Sequence, residues 1–362
     1  MPVGWVDFNF NACFSRMQIS TLDRVSQMAL VAADEAVASA GLGGMEMGPR
    51  GGVLFGTGMG GAESLEAGYA RFFGVPTAKR KVLTVLAAMT HAASAQVAIR
   101  FKARGECQNY STGCSSSAVA IGEAYRRIRD GYLDIALAGG GECLLVPGVI
   151  DSWKAMKVMC EPPAEAPGTG CRPFSADRNG FALGEGSGVL VLESLERAVA
   201  RSAQPLCEII GYGVSNDATH MTTPDSGGQA DAMQMALAEA AVDVSDIDHV
   251  NAHGTATRAG DLVETESIKR TLGGRAYRIP VSATKSAHGH LMGATGAVEF
   301  VAAANTLQHQ VVPPTTHWRE RDPDCDLDYV PGRGRAANVQ HVLFNSFAFG
   351  GNNVSMVLRR WH

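Results

Sequence analysis

The chain has 362 residues, 46% of them hydrophobic and 19% charged, with a formal net charge of −5. This composition supports a large buried core, excludes wholesale disorder, and gives no global attraction to nucleic acid or an anionic membrane. No apolar run is long enough to span a bilayer, and the opening MPVGWVDFNF lacks the basic start and apolar stretch of a secretory leader. The cysteines, at 13, 107, 114, 143, 160, 171, 207 and 325, contain no CxxC pair. A zinc ribbon or disulfide framework is therefore not expected, and a reduced, cytoplasmic protein is.

In chain order, residues 21–40 carry apolar side chains at helical spacing (Val25, Met28, Ala29, Ala32, Ala36), and Gly41 is placed to cap the helix. Residues 51–58 form a short apolar run ending in glycines. Residues 134–139 and 188–192 are continuous apolar runs, as buried sheet strands should be. Between them, residues 161–170 (EPPAEAPGTG) predict a surface loop.

MALVAADEAVASAGL (28–42) is echoed by MQMALAEAAVDV (233–244). Each helical segment leads to a strand, a turn rich in reactive side chains and another helix. The echo predicts two related α/β halves, residues 1–200 and 201–362. It also exposes a gap. The second half has a strand, CEIIGYGVS (207–215), ahead of its helix, whereas the residues before the first helix do not read as a matching strand and turn. Either the first half lacks an element or another chain supplies it.

Cys114 lies in STGCSSSAVAIGEAYRRIRDG, among small residues directly before a helix. A helix amino end offers free N–H groups and partial positive charge, both of which favour the nucleophilic thiolate, although a lone buried cysteine is as often structural. His253 follows an apolar strand in VNAHGTATRAGD, where it fits a catalytic donor, although taken alone a capping or core histidine is the better reading. Lys285, His288 and His290 crowd a glycine-rich turn in TKSAHGHLMGATGAVEF, with Glu299 spaced to reach the same turn. NSFAFGGNNVS (345–355) is a glycine turn bracketed by Phe347 and Phe349, able to aim N–H groups at an oxyanion.

Taken in order, TGCSSS, RPFSADRNGFALGEGSGVLVLE (172–193), NAHGTATRAGD, TKSAHGHLMGATGAVE and NSFAFGGNN resemble the β-ketoacyl-ACP synthases that elongate fatty acids and polyketides. The likeness runs from about Thr21 onward. It implies an α/β, thiolase-like fold, its two halves packed as αβαβα layers. Cys114 would then take the acyl group and, with Phe349, supply the oxyanion-hole N–H groups. His253 and His290 would assist decarboxylation of a malonyl thioester, with Lys285 and Glu299 supporting them. Thr255, Thr257, Gly350 and Gly351 would meet the substrate, Phe349 would gate the thiol, and Met59 would sit at the base of the acyl pocket.

The resemblance further implies no cofactor and no metal, an acyl carrier protein as partner, and a dimer of identical or related subunits. Arg126, Arg127 and Arg129 are candidates for docking the carrier, since the family's basic stretch near its first helix is thinned here to Arg16 and Arg24. By the same resemblance the family's opening strand and helix are expected to be absent, which leaves a non-catalytic, chain-length-factor-like subunit as the alternative. A thiolase is disfavoured because no second cysteine follows Cys325.

Overall fold

Two mixed β-sheets carry the two halves, as seen in a computed structural model that describes residues 2–75, 82–162 and 164–361. In the first half the strand order is Cys107–Tyr110, Gly51–Gly56, Ile135–Glu142, Gly186–Glu193. The first three run parallel and the fourth antiparallel. In the second half the order is Val281–Ser282, His249–Asn251, His341–Phe347, Asn352–Arg360, Cys207–Asn216. Again the first three are parallel, Asn352–Arg360 is antiparallel to them, and Cys207–Asn216 pairs along its far side. The two sheets thus repeat one plan, with one difference. Among the described residues, Gly186–Glu193 has no strand on its far edge where Asn352–Arg360 has one. The opening residues form a two-residue strand, Val3–Gly4, against Leu183–Gly184 and a short helix, Arg16–Thr21.

The expected helix over 21–40 spans Arg24–Ser39. Its start is fixed by Asp23, whose carboxylate accepts the Val25 N–H at 3.0 Å and the Ser64 N–H at 2.8 Å. Val25, Met28, Ala29, Ala33 and Val37 form its buried face against the first sheet. Each large aliphatic side chain buried in this way stabilises the fold by roughly 1.5–3 kcal/mol. Ser226–Ala240 is the echoed helix and covers the second sheet.

The central layer is the pair of helices Ser116–Arg129 and Thr295–His309, sandwiched between the sheets in one hydrophobic cluster. Their contact, and that of the first helix with the strand Cys207–Asn216, depends on missing side chains. A Cβ on Gly296 would lie 2.8 Å from the Ala118 nitrogen, and one on Gly122 would lie 2.2 Å from the buried ring of Tyr212 on that strand. Close packing of this kind puts both helix amino ends at the same place, beside the carboxyl ends of the parallel strands. Gly122→Ala should therefore cost about 1–3 kcal/mol by overpacking. Urea denaturation measures this, and a change below 0.5 kcal/mol, about the size of an ordinary surface effect, would mean that the contact yields freely.

Candidate active site

Cys114 sits in the 3-10 turn Gly113–Ser115, immediately before the helix Ser116–Arg129. Gly113 takes a left-handed φ of 63°, which a side chain would resist. The serines after it lock the elbow: Ser115 Oγ donates to the Thr112 carbonyl at 3.0 Å, and Ser116 Oγ donates to that of Gly113 at 2.6 Å. Sγ is thereby held in the buried end of a cavity of about 160 Å³, which His253, His290, Thr255, Thr257 and Phe349 also line.

His290 Nε2 lies 3.0 Å from Cys114 Sγ. Its Nδ1 accepts the Met292 N–H at 3.2 Å, so the ring hydrogen belongs on Nε2, facing the sulfur. Thr295 Oγ1, 2.9 Å from Nδ1, supports the same ring position. His253 is arranged alike. The Lys285 ammonium lies 3.2 Å from its Nδ1, which must accept, leaving Nε2–H free. The two rings stand 5.6 Å apart and nearly perpendicular. The donor atoms of Cys114, His253 and His290 lie within 4.8 Å of one another, close enough to hold a metal. As the rings are bonded, however, they turn N–H groups rather than lone pairs into that space, an arrangement suited to an anionic oxygen.

Lys285 is fully buried, with Nζ 2.8 Å from Glu299 Oε1 and donating to the His253 carbonyl. The His253 loop is held from below by Glu264, which accepts the N–H groups of His253 and Gly254 at 2.7 Å each. Asp261 accepts those of Phe174 and Ala256 and lies beside Arg178, so the 172–193 motif braces the histidine loop. Thr255 and Thr257 share a hydroxyl–hydroxyl bond of 2.8 Å at the cavity wall.

Burial, reinforced by Lys285, pushes the imidazoles of His253 and His290 well below the usual histidine value and keeps them neutral. It pushes Glu299 up to about 7 against the opposing pull of Lys285. Burial also pushes the Cys114 thiol up to about 12. Lys285 and the N–H groups of Phe349 and Cys114 lower it only in part. The expected lowering by the helix end is therefore outweighed by desolvation, and the N–H groups that reach the sulfur are those of the anticipated oxyanion hole.

Phe349 stacks on Trp153 at 6.3 Å, Trp153 meets Phe181 edge-on at 5.7 Å, and Phe181 meets His290 at 5.1 Å. Trp153 and Phe181 were not legible as site residues: a lone tryptophan on a partly exposed helix has no distinguishing pattern. Gly350 and Gly351 take consecutive left-handed φ values of 81° and 73°. Gly351 lines the cavity, while the Gly350 N–H donates to the Met221 carbonyl at 2.7 Å.

Met59 is 50% exposed and absent from the cavity lining, because its turn is pinned to the strand end by its N–H bond to Glu142. The three arginines are not a free basic patch. Arg126 and Arg127 pair with Glu123, Arg127 with Glu106, and Arg129 with Asp130 and Glu239. Arg24 is likewise held by Glu185 at 2.6 Å and stacked over Trp5. His288 donates Nδ1–H to the Gly289 carbonyl, lies 3.1 Å from Thr284 Oγ1, and is lowered to about 4 by burial and Lys285. It stays neutral beside the site rather than within it.

Family models for the N-terminal and C-terminal domains of β-ketoacyl synthases match residues 2–198 and 206–319. This chain belongs to the β-ketoacyl synthase family. It is 43% identical to nodulation protein E of Rhizobium sp. (strain N33) over 346 residues, covering 95% of this chain and 84% of that one. It is 37% identical to 3-oxoacyl-[acyl-carrier-protein] synthase 2 of Synechocystis sp., covering 98% and 86%. Among solved structures, a ketosynthase in complex with its type II PKS acyl-carrier protein superposes with a TM-score of 0.92 at 33% identity, covering 99% and 88%. The ishigamide ketosynthase/chain length factor gives 0.89 at 34%, covering 99% and 87%. The fold is the thiolase-like one, and the protein is a condensing enzyme of the acyltransferase class, a ketoacyl synthase of fatty acid or polyketide synthesis. No helix among the described residues is long and apolar enough to cross a membrane.

Lys285→Met should cost about 3–5 kcal/mol at pH 8, because it strands a buried carboxylate. The penalty should shrink as pH falls. The folded-state pKa of Glu299 is already raised above its ordinary 4.5 and would rise further without the ammonium, so the acid form, which needs no partner, is favoured at low pH. Denaturant unfolding at pH 8 and pH 5.5 measures the difference. An equal loss at both would assign the cost to packing instead.

Proposed function

We propose that Cys114 accepts an acyl group from a carrier-protein thioester and condenses it with a malonyl unit by decarboxylative Claisen chemistry. The observation that carries this reading is the convergence of one buried sulfur, two imidazole N–H donors and two backbone N–H groups on a single cavity.

In the first step the sulfur attacks the thioester carbonyl, and the N–H groups of Cys114 and Phe349 hold the alkoxide. The carrier thiol leaves with the proton, and the acyl group stays on Sγ. In the second step a malonyl thioester loses carbon dioxide. The electron pair left behind becomes an enolate, whose oxygen takes the Nε2–H bonds of His253 and His290. The enolate carbon then attacks the acyl carbonyl, the S–C bond breaks, and the departing Cys114 thiolate takes a proton from solvent. Thr255 and Thr257 lie where the pantetheine arm would enter, and Phe349 would move off Trp153 to admit the acyl chain. A non-catalytic partner subunit would have no use for both N–H-presenting histidines beside a nucleophile.

An acyl carrier protein as partner is supported by the carrier bound to the similar ketosynthase. A dimer with a second copy or a related subunit is supported by the exposed apolar stretch of Tyr69, Phe72, Phe73, Val82, Val85 and Leu86. It is supported further by the ketosynthase/chain length factor among the similar structures.

Two measurements test this reading. Cys114→Ala should abolish acyl-enzyme formation from acyl-carrier protein, followed by intact-protein mass. His253→Ala and His290→Ala should still be acylated at Cys114 but release carbon dioxide from malonyl-carrier protein roughly 10²–10³-fold more slowly, the usual cost of losing one oxyanion donor. Wild-type release rates in both histidine variants would overturn the assignment.

A further inference from the structure

Glu142 ends the strand Ile135–Glu142, fully buried, and its four hydrogen-bond partners are all neutral. Oε2 accepts the N–H groups of Gly58 at 2.5 Å and Gly293 at 3.0 Å. Oε1 accepts the Met59 N–H and the Thr57 hydroxyl, each at 3.1 Å. The carboxylate therefore bolts the turn after the strand Gly51–Gly56 to the 3-10 turn Met292–Ala294. Both glycines are needed for its approach: a Cβ on Gly58 would lie 2.7 Å from Oε2, and one on Gly293 would lie 2.6 Å from it.

The second turn matters because of Met292. It holds a left-handed φ of 47°, an uncommon conformation for a residue with a side chain, so its surroundings must enforce it. The N–H of this same residue donates to His290 Nδ1 and keeps the ring hydrogen on Nε2, toward Cys114. Four donors converge on Glu142, and only a carboxylate can accept from all of them. A glutamine in either orientation would turn its NH₂ group against donors.

We propose that Glu142 is a positioning residue that, by anchoring Gly293, holds the Met292 turn and so selects the His290 tautomer that faces its N–H to Cys114. This rests on the condensation reading for its consequence in turnover, but the tautomer itself is observable without turnover. If Glu142→Gln releases the turn, the Met292 N–H leaves Nδ1. The ring hydrogen can then move to Nδ1 and donate to Thr295 Oγ1, which presents a lone pair where an anionic oxygen should bind.

The test is ¹⁵N NMR of histidine-labelled protein, with His290 assigned by its loss in His290→Gln, run beside steady-state condensation. In the unsubstituted protein His290 should show protonated Nε2 and unprotonated Nδ1. In Glu142→Gln the population should move toward Nδ1–H, and kcat should fall about tenfold or more, in the range expected for a misdirected oxyanion donor, with KM for the carrier substrate nearly unchanged. If Glu142→Gln does not fold, Thr57→Val, which removes one of the four donors, should give a smaller shift of the same sign. A wild-type tautomer in a folded variant would overturn the proposal. Failure of the unsubstituted protein to condense would instead sink the condensation reading and leave the tautomer result standing.

Discussion

A single buried cation sets the terms for the cavity around Cys114. Lys285 has no access to water, so its charge is tolerable only with Glu299 beside it and with acceptors for its remaining hydrogens. Those acceptors are the ring nitrogen and the carbonyl of His253. The ion pair thus does more than satisfy itself. It fixes a tautomer, suppresses protonation of the His253 and His290 imidazoles, and favours negative charge on the nearby sulfur. The surrounding carboxylates, Glu264 and Asp261, complete the support by taking backbone N–H groups that the tight histidine loop leaves unpaired, and Asp261 also takes that of Phe174.

The fold delivers these groups to one place through its repeated plan. Each half sends a helix amino end and strand carboxyl ends to the same cavity, and the halves approach closely because Gly122 and Gly296 carry no side chain. Cys114 comes from the first half, and His253, Lys285, His290 and Phe349 come from the second. The site therefore exists only where the halves meet, and the packing of the two central helices is part of the chemistry. A small shift of one half against the other would part the sulfur from the imidazole only 3.0 Å away.

Much of this was legible in the amino-acid order because local physics leaves a local trace. The glycine before Cys114 and the serines after it mark the sharp elbow, and the apolar runs mark the buried strands. The helical echo left its trace too: its two helices cover two sheets that share one strand plan. What could not be read depends on tertiary distance. Trp153 joins the site only because its helix folds back over Phe349. The pairing of Arg127 with Glu106 and of Arg129 with Glu239 is likewise tertiary and leaves no local trace. The thiol's behaviour depends on tertiary structure too: the helix end is visible in the sequence, but the depth of burial that outweighs it is not.

The most direct test of this account is a crystal structure of the enzyme carrying an acyl group on Cys114. The acyl carbonyl oxygen should lie within about 3 Å of the N–H groups of both Cys114 and Phe349, hydrogen-bonding distance for an oxyanion hole. The Nε2 atoms of His253 and His290 should together face an open site on the other side of that carbonyl. An acyl oxygen turned instead toward the imidazoles, with the two amide groups bonded elsewhere, would contradict the division of labour on which the mechanism stands.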